Sequence, residues 1–264
     1  MAATFVRPAL ALHDVTRRFG KHTAIDGISM EVRANTFVSV VGPSGCGKST
    51  LLNVIAGLLP PSGGRVEVFG DQLTGINRRA TYMFQQDALL PWKTVLGNVQ
   101  LGLTLRGRNG REAREDAQAW VERVGLQDFG HHFPYQLSGG MRKRVAIAQC
   151  WIVQSDLILM DEPFAALDVH TRLRIESEIL GLWTGSGKTV VFVTHDLEEA
   201  IALSDEVYLL SAGPAARLVG RYSVDLSRPR NLIDIKANPR FNDLYRCIWS
   251  DLRQEVLRNH EQNR

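Results

Sequence analysis

The stretch that most limits what this chain can fold into is Gly42-Pro43-Ser44-Gly45-Cys46-Gly47-Lys48-Ser49-Thr50, which has the form G-x-x-x-x-G-K-S. Its flanks carry opposite periodicities. Before it, Thr36-Phe37-Val38-Ser39-Val40-Val41 is a short β-rich run suited to a buried strand. After it, Leu51 to Leu58 has apolar residues at helical spacing, and Pro60-Pro61 closes the run. Strand, glycine loop and helix, in that order, form a cradle for phosphate. The glycines let backbone N–H groups turn inward, and the helix adds the positive end of its dipole at the same point. There Lys48 would supply a mobile cation to the β- and γ-phosphates, and Ser49 an oxygen to Mg²⁺. The alternative is a glycine turn ahead of an ordinary helix, which leaves the Lys-Ser pair without a purpose.

Composition narrows the classes that can use such a cradle. With 264 residues, 44% hydrophobic and 22% charged, the chain can bury a core in one large domain or two small ones. A net charge of +3 is too weak to imply nucleic acid, and no nucleic-acid partner is expected. Cys46, Cys150 and Cys247 are far apart, so neither a disulfide framework nor a zinc site is expected. No apolar run approaches the roughly 18 residues of a membrane helix. The opening Met1 to Pro8 does not read as a signal peptide, because Arg7-Pro8 breaks its short apolar stretch. A soluble chain without direct membrane insertion is expected, any membrane role coming through partners.

Along the chain, Ala9 to Phe19 and Ile28 to Val32 read as strands, with Gly20 and Gly27 marking turns. Residues 63–68 and 80–84 read as further strands. From Asp87 the pattern turns helical, over 94–105, 112–124 and 139–154, with a basic loop at 106–111. Then β and α alternate: strand 157–160, helix 169–182, strand 189–194, helix 196–203, strand 205–211. Gly185-Ser186-Gly187-Lys188-Thr189 imitates the first glycine loop, but it follows a helix and precedes a strand, so it reads as a turn.

Two further stretches add chemistry. Leu157-Ile158-Leu159-Met160-Asp161-Glu162 is an apolar strand ending in two acids, the place a Mg²⁺-nucleotide needs them beside a phosphate loop. Asp161 would hold Mg²⁺ mostly through water, and Glu162 would orient or deprotonate the attacking water. The alternative is a solvated strand end. In Leu137-Ser138-Gly139-Gly140-Met141, Ser138 can cap a helix whose first glycines expose N–H groups to an anion. Two glycines in a first helical turn are a poor choice for stability alone, which weighs against a plain cap.

In this order the stretches resemble the ATP-binding subunits of ABC transporters, over nearly all of residues 9–216. Gly42–Ser49 matches Walker A, Gln85 the Q-loop, Leu137–Met141 the signature, and Leu157–Asp161 with Glu162 Walker B and its catalytic glutamate. Ala166-Leu167-Asp168 matches the D-loop, and His195 the switch histidine. Phe19 stands where the family has an aromatic residue that stacks on adenine. The resemblance implies an α/β fold: a P-loop NTPase (RecA-like) core with an N-terminal antiparallel β-subdomain (1–86 and 155–216), an inserted α-helical signature subdomain (87–154), and a C-terminal tail with an amphipathic helix (217–264). It implies ATP held by Phe19, by Gly42, Pro43, Ser44, Gly45, Cys46, Gly47, Lys48, Ser49 and Thr50, and by Gln85, Ser138, Gly139, Gly140, Asp161, Asp168 and His195. Mg²⁺ falls to Ser49, Gln85 and Asp161, and catalysis to Glu162, His195, Gln85 and Lys48. Two copies would face each other head to tail, each ATP lying between one copy's Walker A and the other's signature. Such a homodimer would work with two transmembrane permease subunits and a separate solute-binding protein, at the cytoplasmic face of the membrane. Phe19 replaces a commoner tyrosine and Met141 a commoner glutamine. Gln149-Cys150-Trp151 departs from the family's small and basic residues.

Phe84-Gln85-Gln86-Asp87-Ala88-Leu89-Leu90-Pro91-Trp92 resembles the nitrate/sulfonate/taurine importer branch. The tail carries a stripe of Phe241, Leu244, Tyr245, Ile248, Trp249, Leu252 and Val256, expected to pack on the chain's own core, a regulatory or dimer contact being the alternative. An importer of another solute (a pyrimidine vitamin precursor or lipid), or a soluble ATPase acting on nucleic acid or ribosomes, are the competing functions. A single set of motifs and no sustained heptads weigh against the soluble one.

Overall fold

Two kinds of strand sort into two sheets. In the computed structural model, which describes residues 7–262, the chain runs through β1 (Leu10–Phe19), β2 (His22–Val32), β3 (Phe37–Val41), α1 (Lys48–Ile55), β4 (Gly63–Val68), β5 (Asp71–Gln72), β6 (Ala80–Met83), α2 (Val95–Leu105), α3 (Arg111–Arg123), α4 (Gly139–Trp151), β7 (Leu157–Asp161), α5 (Val169–Trp183), β8 (Thr189–Val193), α6 (Leu197–Leu203), β9 (Glu206–Leu210), β10 (Leu218–Ser223) and α7 (Pro239–Gln262). Part of the Met1–Pro8 reading lies outside the described residues. The half-exposed strands form an antiparallel sheet in the order β2-β1-β4-β5. The fully buried β3, β7, β8 and β9 join β6 and β10 in the order β10-β9-β3-β8-β7-β6, parallel except for β10. Continuous apolar runs suit strands covered on both faces.

Alternation along these strands feeds two cores. Phe37 and Val41 of β3, Ile158 and Met160 of β7, and Val190 and Phe192 of β8 face a core shared with Trp151, Ile175 and Phe164. Val38, Val40, Leu157, Leu159, Val191 and Val193 face the other, shared with α1 and the antiparallel sheet. A third cluster holds α2, α3 and α4 together through Val99, Ala117, Val121, Val145 and Ala148.

Several boundaries differ from the sequence reading. Helix α1 begins at Lys48, three residues ahead of the apolar run, because Gly47 at φ 100° starts the helix inside the loop. Strand β2 runs through Gly27, whose positive φ is absorbed within the strand. Strand β10 falls where no strand was read: its alternating half-exposed residues and Gly220 mask an edge strand antiparallel to β9. Helix α4 ends at Trp151. The α7 stripe packs on the chain's own core, with Phe241, Ile248 and Leu252 buried and Trp249 about half exposed at 48%. Trp151, inside the unexplained Gln149-Cys150-Trp151, is a core residue. Among the described residues no helix is long and apolar enough to cross a membrane.

Candidate functional site

Four neighbouring strands, β3, β8, β7 and β6, end at one edge of the parallel sheet. Their exits carry the glycine loop, His195, Glu162 and Gln85 respectively. Loops at the carboxyl ends of a parallel sheet are where ligands bind.

The glycine loop needs its glycines for shape. A Cβ at Gly47 would lie 2.9 Å from Ile25 Cγ2 and 3.1 Å from the Ala24 carbonyl, at a φ that other residues resist. Lys48 is buried, and its ammonium donates to the carbonyls of Gly42 (2.9 Å) and Pro43 (3.0 Å). It lies 4.0 Å from Glu162. The charge is thus folded back over the loop, hydrogen-bonded to backbone oxygens that a phosphate can replace. Cys46 is buried beneath the loop, and burial pushes its thiol pKa up, so it is not a nucleophile there.

Asp161 ends β7 as a buried carboxylate. The Ser49 hydroxyl donates to its Oδ1 at 3.0 Å, and the Tyr82 hydroxyl to its Oδ2 at 3.1 Å. Burial raises the pKa of Asp161, and the two hydroxyls partly offset that. Burial, then the neighbouring carboxylate, raises that of Tyr82. Glu162 has φ 41°, a left-handed backbone that turns the chain out of the strand directly after Asp161. This turn gives consecutive acids different partners. Glu162 Oε2 faces His195 Nδ1 at 3.1 Å and the Gln85 amide nitrogen at 3.4 Å. Ser44, Gly45, Gly47, Lys48, Ser49, Thr50, Gln85 and Glu162 line one open pocket of about 400 Å³.

Ser138, Gly139, Gly140 and Asp168 lie elsewhere. They line a separate pocket of about 420 Å³, between the N-termini of α4 and α5, that shares no residue with the first. Ser138 caps α4 by accepting from the Met141 N–H at 3.3 Å. Asp168 caps α5 by accepting from the Thr171 N–H at 3.0 Å, which holds its carboxyl below the usual range. Phe19 joins neither pocket. It is partly exposed at the end of β1, with the Arg17 guanidinium 4.7 Å from its ring centre.

The sequence reading missed two contacts. Tyr82 reads as an ordinary strand residue, and nothing local marks Asp161 as its partner. Lys143 is buried on α4; it pairs with Asp87 at 2.9 Å and reaches the Gln85 carbonyl at 3.4 Å, tying the Gln85 loop to the Ser138 helix. The basic run Arg142-Lys143-Arg144 hints at an acidic partner without saying which.

The ABC transporter family profile matches residues 25–165. The taurine import ATP-binding protein TauB of Yersinia pestis is 43% identical over 205 residues, covering 78% of this chain and 80% of that protein. The nitrate import ATP-binding protein NrtC of Synechococcus elongatus is 40% identical over 238 residues, covering 89% of this chain and 36% of that longer protein. The ATP-binding cassette MJ0796, solved as a dimer in a post-hydrolysis state bound to ADP and Pi, superposes with a TM-score of 0.72. It is 32% identical and covers 83% of this chain and 100% of that one.

Proposed function

The chain belongs to the ABC transporter family as an ATP-binding, ATP-hydrolysing subunit, and we propose that it energises import of a small sulfonate, taurine or nitrate-type solute through partner permease subunits. One observation carries the reading. Lys48, Glu162, Gln85 and His195 interconnect around one pocket, while Ser138-Gly139-Gly140 and Asp168 open into another. A chain that hydrolysed ATP alone would have no use for that second anion cradle. Two copies head to tail would bring each cradle onto the other's phosphate loop, and the dimeric form of MJ0796 supports this arrangement.

In that closed site Lys48 exchanges its backbone carbonyls for β- and γ-phosphate oxygens. Glu162 accepts a proton from the attacking water as its oxygen bonds to the γ-phosphorus and the bond to the ADP oxygen breaks. His195 and Gln85, already on Glu162, hold that carboxylate and sense the γ-phosphate. The donor set for Mg²⁺ fits: a hydroxyl from Ser49, a carboxylate from Asp161 and an amide from Gln85 are hard oxygen donors, and the Ser49 and Asp161 oxygens stand 3.0 Å apart. When bound, the ion neutralises charge developing on the phosphates. Phe19 would stack on adenine once Arg17 leaves its ring face.

Residues 87–154 carry closure to the permeases through Gln85 and the Lys143–Asp87 tie. The rest of 1–216 forms the ATP-binding core, and 217–264 a supporting tail. The chain sits at the cytoplasmic face of the membrane, and a separate solute-binding protein selects the cargo. The names of TauB and NrtC support the solute class. Reconstitution with two permease subunits and the binding protein tests it. ATPase activity should rise with taurine, alkanesulfonates or nitrate; stimulation by pyrimidines alone, or by none of these solutes, overturns the solute class.

A further inference from the structure

Asp161 is buried, and a buried carboxylate is costly unless its oxygens are hydrogen-bonded. Ser49 serves one oxygen. Any ligand on the hydroxyl of Ser49 draws on the same atom, so that contact alone does not fix the carboxylate plane. The other oxygen is held by Tyr82, from a strand whose register is set by the Tyr82–Leu159 and Met83–Met160 pairs with β7. The Tyr82 ring is fixed in turn. It stacks on Phe84, with centroids 4.3 Å apart and planes 30° apart, while the backbone carbonyl of Tyr82 accepts the Cys150 thiol of α4 at 3.8 Å and so ties the strand, not the ring, to α4. Phe84 is the residue directly before Gln85. A single side chain therefore joins the acid at the end of β7 to the strand leading into the Gln85 loop.

We propose that Tyr82 is a positioning residue for the Mg²⁺-nucleotide site, its hydroxyl locking Asp161 Oδ2 so that Oδ1 and Ser49 present one preset edge to the cation. This rests on the reading of Asp161 as the metal-side carboxylate. Outer-shell partners of this kind act by orienting a ligand, not by touching the reactants, and their loss typically lowers metal affinity about 10- to 100-fold. No family motif contains the residue, and its action depends on a phenolic hydroxyl, which phenylalanine lacks and otherwise mimics.

The test uses the full chain with ATP, and Mn²⁺ as a spectroscopic substitute for Mg²⁺. Electron paramagnetic resonance measures retention of Mn²⁺ by the ATP-bound protein. Nucleotide affinity is measured in parallel with divalent ions and with chelator. Tyr82→Phe should bind ATP in chelator as the parent does, keep its melting temperature within a few degrees, and need about 10-fold more Mn²⁺ for half-saturation. Tyr82→Leu should show the same shift with an added loss of stability from the broken ring stack. Equal Mn²⁺ affinity in parent and Tyr82→Phe overturns the proposal, including where Tyr82→Leu is impaired, since ring packing would then be the role. Asp161→Asn separates the two readings. If it loses Mn²⁺ and Tyr82→Phe does not, this inference alone fails. If neither loses it, the metal-side assignment of Asp161 fails with it.

Discussion

The phosphate-loop pocket and the pocket under Ser138-Gly139-Gly140 are nearly equal in size and opposite in construction. In the first, side chains from separate segments check one another. Lys48 is near Glu162, Glu162 meets Gln85 and His195, and Ser49 and Tyr82 hold Asp161. The second offers two helix N-termini, two local caps and backbone N–H groups. Its Asp168 is occupied with the α5 cap, and the two cations that line it, Arg144 and Arg174, are both paired with Glu178. On the proposed reading the first region would move a proton, whereas the second would receive negative charge. On the function proposed above, the difference is a division of labour: the chemistry would be organised within the chain, and the charge-receiving surface would be offered to another copy.

The largest expected effect falls on the first region alone. Glu162→Gln keeps the shape and the hydrogen-bond reach of the side chain but removes the proton acceptor. Turnover should fall by about 10²- to 10⁴-fold while ATP binding persists and dimers accumulate on ATP. Steady-state phosphate release with sizing chromatography measures both. Undiminished release would remove Glu162 from the chemistry and erase the asymmetry between the pockets.

The next test sets the two regions against each other. Lys48→Ala removes the buried ammonium and should weaken ATP binding by about 10- to 100-fold, the worth of one charged hydrogen-bonding group. Gly139→Glu is its counterpart. Beyond its chain neighbours and its own helix backbone, the nearest atom to a Cβ at Gly139 would be Arg142 Nη2 at 3.9 Å, and a carboxylate in a first helical turn suits the dipole, so the fold should be preserved. It would, however, set a negative charge where the proposed head-to-tail pair would put the other copy's phosphate. Binding of a fluorescent nucleotide by dilute protein should be unchanged in Gly139→Glu, and turnover should fall at least 10-fold. Weakened binding by isolated Gly139→Glu chains would mean that both cradles serve one copy.

How much of this was legible beforehand follows the range of the contacts. Lys48, Ser49, Glu162 and Ser138 sit in short patterns whose flanking strand or helix is read from adjacent residues. The alternation of Phe37, Val38, Val40 and Val41 anticipates a strand covered on both faces. Tyr82 was not legible, because its partner Asp161 is 79 residues away and only the β6–β7 register joins them. Lys143 and Asp87 were hidden for the same reason. Strand β10 was missed because an edge strand with one solvated face, interrupted by Gly220, carries too few apolar residues to stand out. The α7 stripe was visible as a pattern; that Trp249 turns outward, stacking on Tyr245 at 6.4 Å, depends on the surface it meets.

The smallest effect on turnover, and the most informative about what the two pockets share, concerns the acids behind them. Asp168 caps helix α5, and α6 follows His195, so the seam between these helices supports one residue from each region. Glu176 of α5 and Glu199 of α6 are both buried there. Arg172 lies 3.3 Å from Asp196 and 3.4 Å from Glu199, the Thr194 hydroxyl donates to Glu199 at 2.7 Å, and Lys236 pairs with Glu198 at the rim. Burial first, and then the neighbouring Glu199, pushes Glu176 up to about 8 from 4.5; burial pushes Glu199 up to about 7 from 4.5. Folding therefore takes up protons between those values. The stabilisation is complete below about 4.5 and is lost as pH rises through about 7 to 8. Glu176→Gln, which cannot ionise, should flatten the fall in melting temperature between pH 5 and pH 8.5. At the upper end it should melt a few degrees above the parent, with turnover per folded molecule unchanged near neutrality. Parallel melting curves for the two proteins would show that the seam is not titrating. A change in turnover without a change in melting would mean that the seam carries signals between the pockets instead of merely supporting both.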